Sequence, residues 1–101
     1  MEKLVLNEVF KFLKQIGAVT NESEFSREWL GRSECYMRTL RFKKAEPSVG
    51  TLAICASKLH HYANKLKDKQ KHADISDQML NLSDTCHNQI GVMSKMKWMN
   101  N

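Results

Sequence analysis

Residues 24–59 read EFSREWLGRSECYMRTLRFKKAEPSVGTLAICASKL, and the punctuation of this stretch decides the fold. Phe25 and Trp29 lie four apart and share one face of a helix. Upstream, Asn21 can cap that helix, with Glu24 three residues on in a capping-box-like arrangement; downstream, Gly31 ends it. A helix is therefore expected over 22–30. Ser33 is a good N-cap for the next helix, and Glu34 then stands in its first turn, where the helix dipole favours an acid. Tyr36, Met37 and Leu40 supply apolar positions, while Arg38, Arg41, Lys43 and Lys44 charge the remaining face and the C-terminal end. Pro47 disfavours helix at the residue before it, and Ser48 can cap a further helix starting near Val49. Two helices thus meet at a turn too short for anything but a sharp corner.

The flanks are also helical in pattern. Val5, Val9, Phe12, Leu13 and Ile16 recur at helical spacing, with Lys3, Lys11 and Lys14 elsewhere on the cylinder, which predicts a helix over 2–16. Gly17 sits where a left-handed C-terminal cap belongs. On the other side, Leu52, Ala56, Leu59, Ala63 and Leu66 alternate spacings of four and three, a heptad seam, and the pattern carries helix 4 to about residue 71. Residues 65–72 (KLKDKQKH) form either a solvated helix end or a corner between helices. Ile75, Met79, Leu82, Cys86, Ile90 and Met93 predict helix 5 over 75–96, weakened by Gly91, with residues 95–101 fraying. The seam of helix 4 and the stripe of helix 5 have two readings: an antiparallel hairpin inside one core, or in part a homodimer seam.

Composition agrees with helices. The chain has 101 residues, enough for a single domain, with the core expected in 1–62 and a helical extension in 63–101. It holds one proline and four glycines, whereas a β-sandwich or barrel would need many turn residues. Hydrophobic residues make up 42% and charged residues 27%, a globular balance. The net charge of +5 suggests a polyanionic partner. Cys35, Cys55 and Cys86 are far apart and form no CxxC pair, so neither a disulfide framework nor a zinc knuckle is expected. His60, His61 and His72 have no carboxylate or thiol at ligand spacing, so no metal is expected. The start, Met1 to Leu4, lacks the basic-then-apolar run of a secretory signal, and no apolar stretch approaches the roughly 20 residues of a membrane span. A cytoplasmic protein with no membrane partner is the expectation.

The order of these elements resembles the phage-repressor-type (Xre-like) helix-turn-helix family, over about residues 21–62. Leu30-Gly31 is similar to the family's helix end and Ser33 to its cap. Met37 and Leu40 occupy the inward positions of the recognition helix, Pro47-Ser48 the loop, and Leu52, Cys55, Ala56 and Leu59 the helix behind. The chain departs from the pattern by one extra residue between Phe25 and Gly31, with Ser26 the best match to the family's small residue, and by its longer helices 4 and 5. The resemblance implies an all-α, five-helix domain with a repressor-like helix-turn-helix and a longer C-terminal helical hairpin.

It also implies sites. A recognition helix enters the major groove, and its outward residues face base edges. Here those residues are Glu34, Cys35, Arg38 and Thr39, with arginine able to bond guanine in bidentate fashion. Ser26, Arg27, Arg32, Arg41, Lys43 and Lys44 are better placed for phosphates, which supply affinity but no sequence choice. No nucleophile–base pair, no paired acids on one helix face and no Gly-rich phosphate loop occur, so no enzyme, cofactor or small-molecule substrate is expected. The expectation is a sequence-specific regulator of double-stranded DNA, with a possible homodimer through helices 4 and 5. The rival is a protein-interaction module, anti-activator or antitoxin-like, whose Met37, Met79, Met93, Met96 and Met99 would form an adaptable apolar surface.

Overall fold

A computed structural model describes residues 4–100 of the chain. The described residues form five α-helices and no strand: α1 (Val5–Gln15), α2 (Glu22–Leu30), α3 (Tyr36–Lys43), α4 (Val49–Leu66) and α5 (Ala73–Met99), with a 3₁₀ turn at Gln70–His72 leading into α5. The all-helical reading therefore holds. The expected start of the first helix, at residues 2 and 3, lies outside the described residues.

Local punctuation sets most boundaries. Asn21 caps α2 through its Oδ1, which accepts the Glu24 N–H at 2.9 Å, while Glu24 Oε1 reaches back to the Thr20 N–H at 2.7 Å. Gly17 and Gly31 adopt left-handed backbones, φ 80° and 64°, just past the ends of α1 and α2. Ser48 caps α4, accepting the Thr51 N–H at 3.2 Å. Three boundaries differ from the sequence reading. Ser33 does not cap α3: its carbonyl accepts the Tyr36 N–H at 3.1 Å within a turn, and the helix begins at Tyr36, leaving Glu34 outside it. α4 ends at Leu66, because residues 67–72 make the corner that lets α5 fold back. The tail expected to fray is helical to Met99.

One apolar cluster joins all five helices: Leu6, Val9, Phe12 and Leu13 of α1; Phe25, Trp29 and Leu30 of α2; Met37 and Leu40 of α3; Leu52, Cys55, Ala56, Leu59 and Ala63 of α4; Met79 and Cys86 of α5. The α4 seam is spent inside the chain, against α5. Ser76 Oγ donates to the Ala63 carbonyl at 2.8 Å and Ser83 Oγ to the Ala56 carbonyl at 3.0 Å. Each pair sums to the same register, so the two helices run antiparallel with small residues facing one another. The hairpin reading is thus the observed arrangement. Hydrogen bonding to Cys86 together with burial pushes the Cys55 thiol upward, which keeps it protonated and inert.

Candidate nucleic-acid interface

α2 and α3 form a corner whose geometry follows from residues already named. The Arg32 N–H, just past Gly31, closes back on the Ser26 carbonyl at 2.9 Å, which ends α2 in a Schellman-type turn. Residues 31–35 then turn the chain, and α3 drops Met37 and Leu40 into the core, 0% and 6% exposed. That fixes the phase of α3. Positions three, four and seven residues apart share a face, so Cys35, Arg38, Thr39 and Phe42 look away from the core, and all four are exposed.

Two side-chain devices hold this corner. Arg41 of α3 forms a bidentate pair with Glu22 of α2, Nη1 to Oε2 at 2.6 Å and Nη2 to Oε1 at 2.8 Å, and the Glu22 hydrogen bond raises the Arg41 pKa. Both groups are partly solvated, so the pair is worth up to about 1 kcal/mol; its larger effect is orientation of α3 on α2. Arg32 leaves the turn and lies over the Tyr36 ring at 5.3 Å, with Nε donating to Thr51 Oγ1 at 2.9 Å and Nη2 donating to Ser48 Oγ at 3.0 Å. Ser48 and Thr51 belong to the cap and first turn of α4. A guanidinium and a helix N-terminus thus share one spot, a combination that attracts anions.

The expected site residues distribute as follows. Arg38 and Thr39 stand outward on α3; Glu34 and Cys35 stand in the turn before it, exposed but not on the helix. Arg27, Lys43 and Lys44 are exposed, Lys44 in a left-handed conformation (φ 51°) that closes α3. Arg32 keeps an exposed position while bonded to α4. One assignment to phosphate is corrected. Ser26 is 0% exposed, held under the corner, so its hydroxyl faces no phosphate. Arg41 gives one hydrogen bond from each of Nη1 and Nη2 to Glu22, which braces α3 on α2, and its side chain stays 46% exposed. Sequence reasoning missed the hydroxyl partners Ser48 and Thr51, whose pairing with Arg32 spans 16 and 19 residues. It also missed Phe42, although its spacing from Arg38 and Thr39 was the signal that would have placed it outward.

Two grooves are also present, the second of them reaching Arg41 and Lys44 at the end of α3. A shallow groove between α1 and α5, about 790 Å³, is lined by Asn7, Phe10, Lys11, Gln15, Gln78 and Asn81 among others. Another, about 900 Å³, runs between the ends of α3 and α5 and includes Leu40, Ala45, Pro47, Met93 and Met96. Among the described residues, no cluster of three His, Cys, Asp or Glu side chains is arranged to hold a metal ion, and no helix is long and apolar enough to cross a membrane.

Compared with known proteins, the chain matches over residues 6–99 a family model described as a family of unknown function (DUF6626). No curated protein and no solved structure matches it.

Proposed function

The chain belongs to the DUF6626 family, and we propose that it is a sequence-specific DNA-binding protein that reads duplex DNA with α3, as a prokaryotic or phage-type transcriptional regulator in the cytoplasm. The observation that carries this reading is the phase of α3: an eight-residue helix with Met37 and Leu40 in the core and Arg38 and Thr39 in solvent. Arg27, Arg32, Lys43 and Lys44 are exposed as well, with Glu34 the one carboxylate in the turn. In this role Arg38 bonds a guanine edge and Thr39 contacts an adjacent base. Arg32 at the α4 N-terminus grips one phosphate, and Arg27, Lys43 and Lys44 neutralise others. Glu34 and Cys35, one turn earlier, flank the groove entrance. Arg41 and Glu22 set the angle at which α3 enters.

Selection from a random duplex library, followed by gel-shift titration at two salt concentrations, tests the reading. Arg38→Ala is expected to lose about 1–3 kcal/mol of discrimination at one base pair. Lys43→Ala is expected to weaken binding to all sequences alike and to lower the salt slope by about one. If wild-type protein shifts no duplex at low salt, or if both variants bind as wild type does, the reading fails.

A second reading, a protein-interaction module, is favoured by one feature. The C-terminal end of α5 exposes Val92, Met96, Trp98 and Met99, at 54%, 60%, 66% and 61%. Met37 and Met79, first counted with that adaptable surface, are core residues. Within the DNA reading the same end serves a second copy of the chain, since repressor-type domains read two half-sites as dimers. The α4 seam is already occupied by α5, and the α5 end is where exposed apolar side chains are most concentrated, which favours it as the dimer surface.

A further inference from the structure

Phe42 is the most exposed large apolar side chain among the described residues, at 88%. Single apolar residues on a surface are common and by themselves carry no meaning. The setting of Phe42 is what distinguishes it. It is the seventh of eight residues in α3, four after Arg38 and three after Thr39, and therefore continues the face that points away from the core. Its exposed neighbours on α3 and at its end include three cations, Arg38, Lys43 and Lys44, beside neutral Thr39 and one acid, Glu46. On α2, Glu22 is already bonded to Arg41. A ring set among three cations repels a second copy of the same surface and suits a polyanion that also offers apolar spots.

Duplex DNA has both. Its major groove is walled by phosphates, and each thymine places a 5-methyl group on the groove floor. An eight-residue helix is about 12 Å long, and the major groove is about 12 Å wide. Arg38 and Phe42, four residues and so about 6 Å apart along the axis, therefore both fall within one groove. We propose that Phe42 is a sequence-reading residue that packs its ring against thymine methyl groups, so that the bound site carries thymine next to the guanine bonded by Arg38. The inference rests on the DNA reading above and adds to it a base identity.

The test uses the whole chain and its Phe42→Ala and Phe42→Leu variants, each checked for an unchanged melting temperature, since Phe42 is 88% exposed. Each protein selects its own sites from a random duplex library. Wild type is expected to select a thymine that Phe42→Ala no longer selects, with Phe42→Leu intermediate. Replacing that thymine by deoxyuridine removes one methyl and nothing else. It is expected to weaken wild type about fourfold, in line with burial of one methyl group, and to leave Phe42→Ala unchanged within twofold. Should Phe42→Ala select the same motif with equal affinity, or lose as much as wild type on deoxyuridine, the inference is overturned while DNA binding stands. Should wild type select no duplex at low salt, both readings fall, and Phe42 is left as an anchor for a protein partner.

Discussion

Ser26 shows how much a single residue's surroundings matter in this fold. Its hydroxyl is fully buried and, among the described residues, is the buried side-chain oxygen without a hydrogen-bond partner. Small size lets it fit beneath the corner of α2 and α3; the polar oxygen contributes nothing there and forgoes its hydration. Ser26→Ala is expected to stabilise the protein by about 1–2 kcal/mol, read as a rise of several degrees in melting temperature. A fall would mean that the hydroxyl has a partner in solution. Arg41 teaches the complementary lesson. Its sequence position, beside other cations, resembles a phosphate contact, and Glu22, 19 residues away, adds a bracing partner that local sequence does not announce. Both cases have one cause: serine and arginine are compatible with several roles, and the choice depends on neighbours distant in sequence.

At the scale of elements, the α4–α5 pair is the main support of the molecule. Ala56 and Ala63 on one helix meet Ser83 and Ser76 on the other, through hydroxyl-to-carbonyl bonds of 3.0 and 2.8 Å. The spacing of seven on α4 was legible in the sequence because it is built of apolar residues. On α5 the buried seam is Ser76, Met79, Ser83 and Cys86, whereas Ile75, Leu82, Ile90 and Met93 sit half-buried beside it. Hydrophobicity alone therefore rotated the expected face, because two serines satisfied by a facing backbone count as core. Ser83→Leu should wedge the helices apart at a cost of about 1–3 kcal/mol, and Ser83→Ala should cost about 1 kcal/mol or less. Urea midpoints of the two variants measure this, and equal losses would refute close packing at residue 83.

The whole molecule is elongated, with extents of 47 × 28 × 25 Å and a radius of gyration of 14.0 Å. α5 accounts for the long axis. Its 27 residues span about 40 Å, against about 27 Å for α4 with 18. Beyond Cys86 no residue of α5 is fully buried, and the final turns hold Val92, Met96, Trp98 and Met99 in solvent. The proposed dimer uses this end. Sedimentation equilibrium at tens of micromolar is expected to show a dimer for wild type and a monomer for the double variant Met96→Lys with Met99→Lys, with the melting temperature of the variant little changed at low concentration. A wild-type monomer throughout that range removes the dimer and leaves the monomer's DNA binding to be judged on its own.

What the linear order of residues determined is the set of elements. Caps at Asn21 and Ser48, stops at Gly17 and Gly31, and the apolar periods of Val9–Leu13, Met37–Leu40 and Leu52–Ala63 act within one or two turns of chain, so they can be read without knowing the rest, whereas Leu6 was passed over for Val5. The start of α3 was misread because a serine followed by a glutamate caps a helix or makes a turn equally well. Only the folded chain decided which polar groups are spent on the structure itself and which stay free. Arg32 reaches Ser48 and Thr51, Arg41 reaches Glu22, Ser76 and Ser83 reach α4, and Phe42 is left facing water. Those pairings join residues 13 to 27 positions apart, and no local propensity encodes a bond whose partner arrives only when the helices pack.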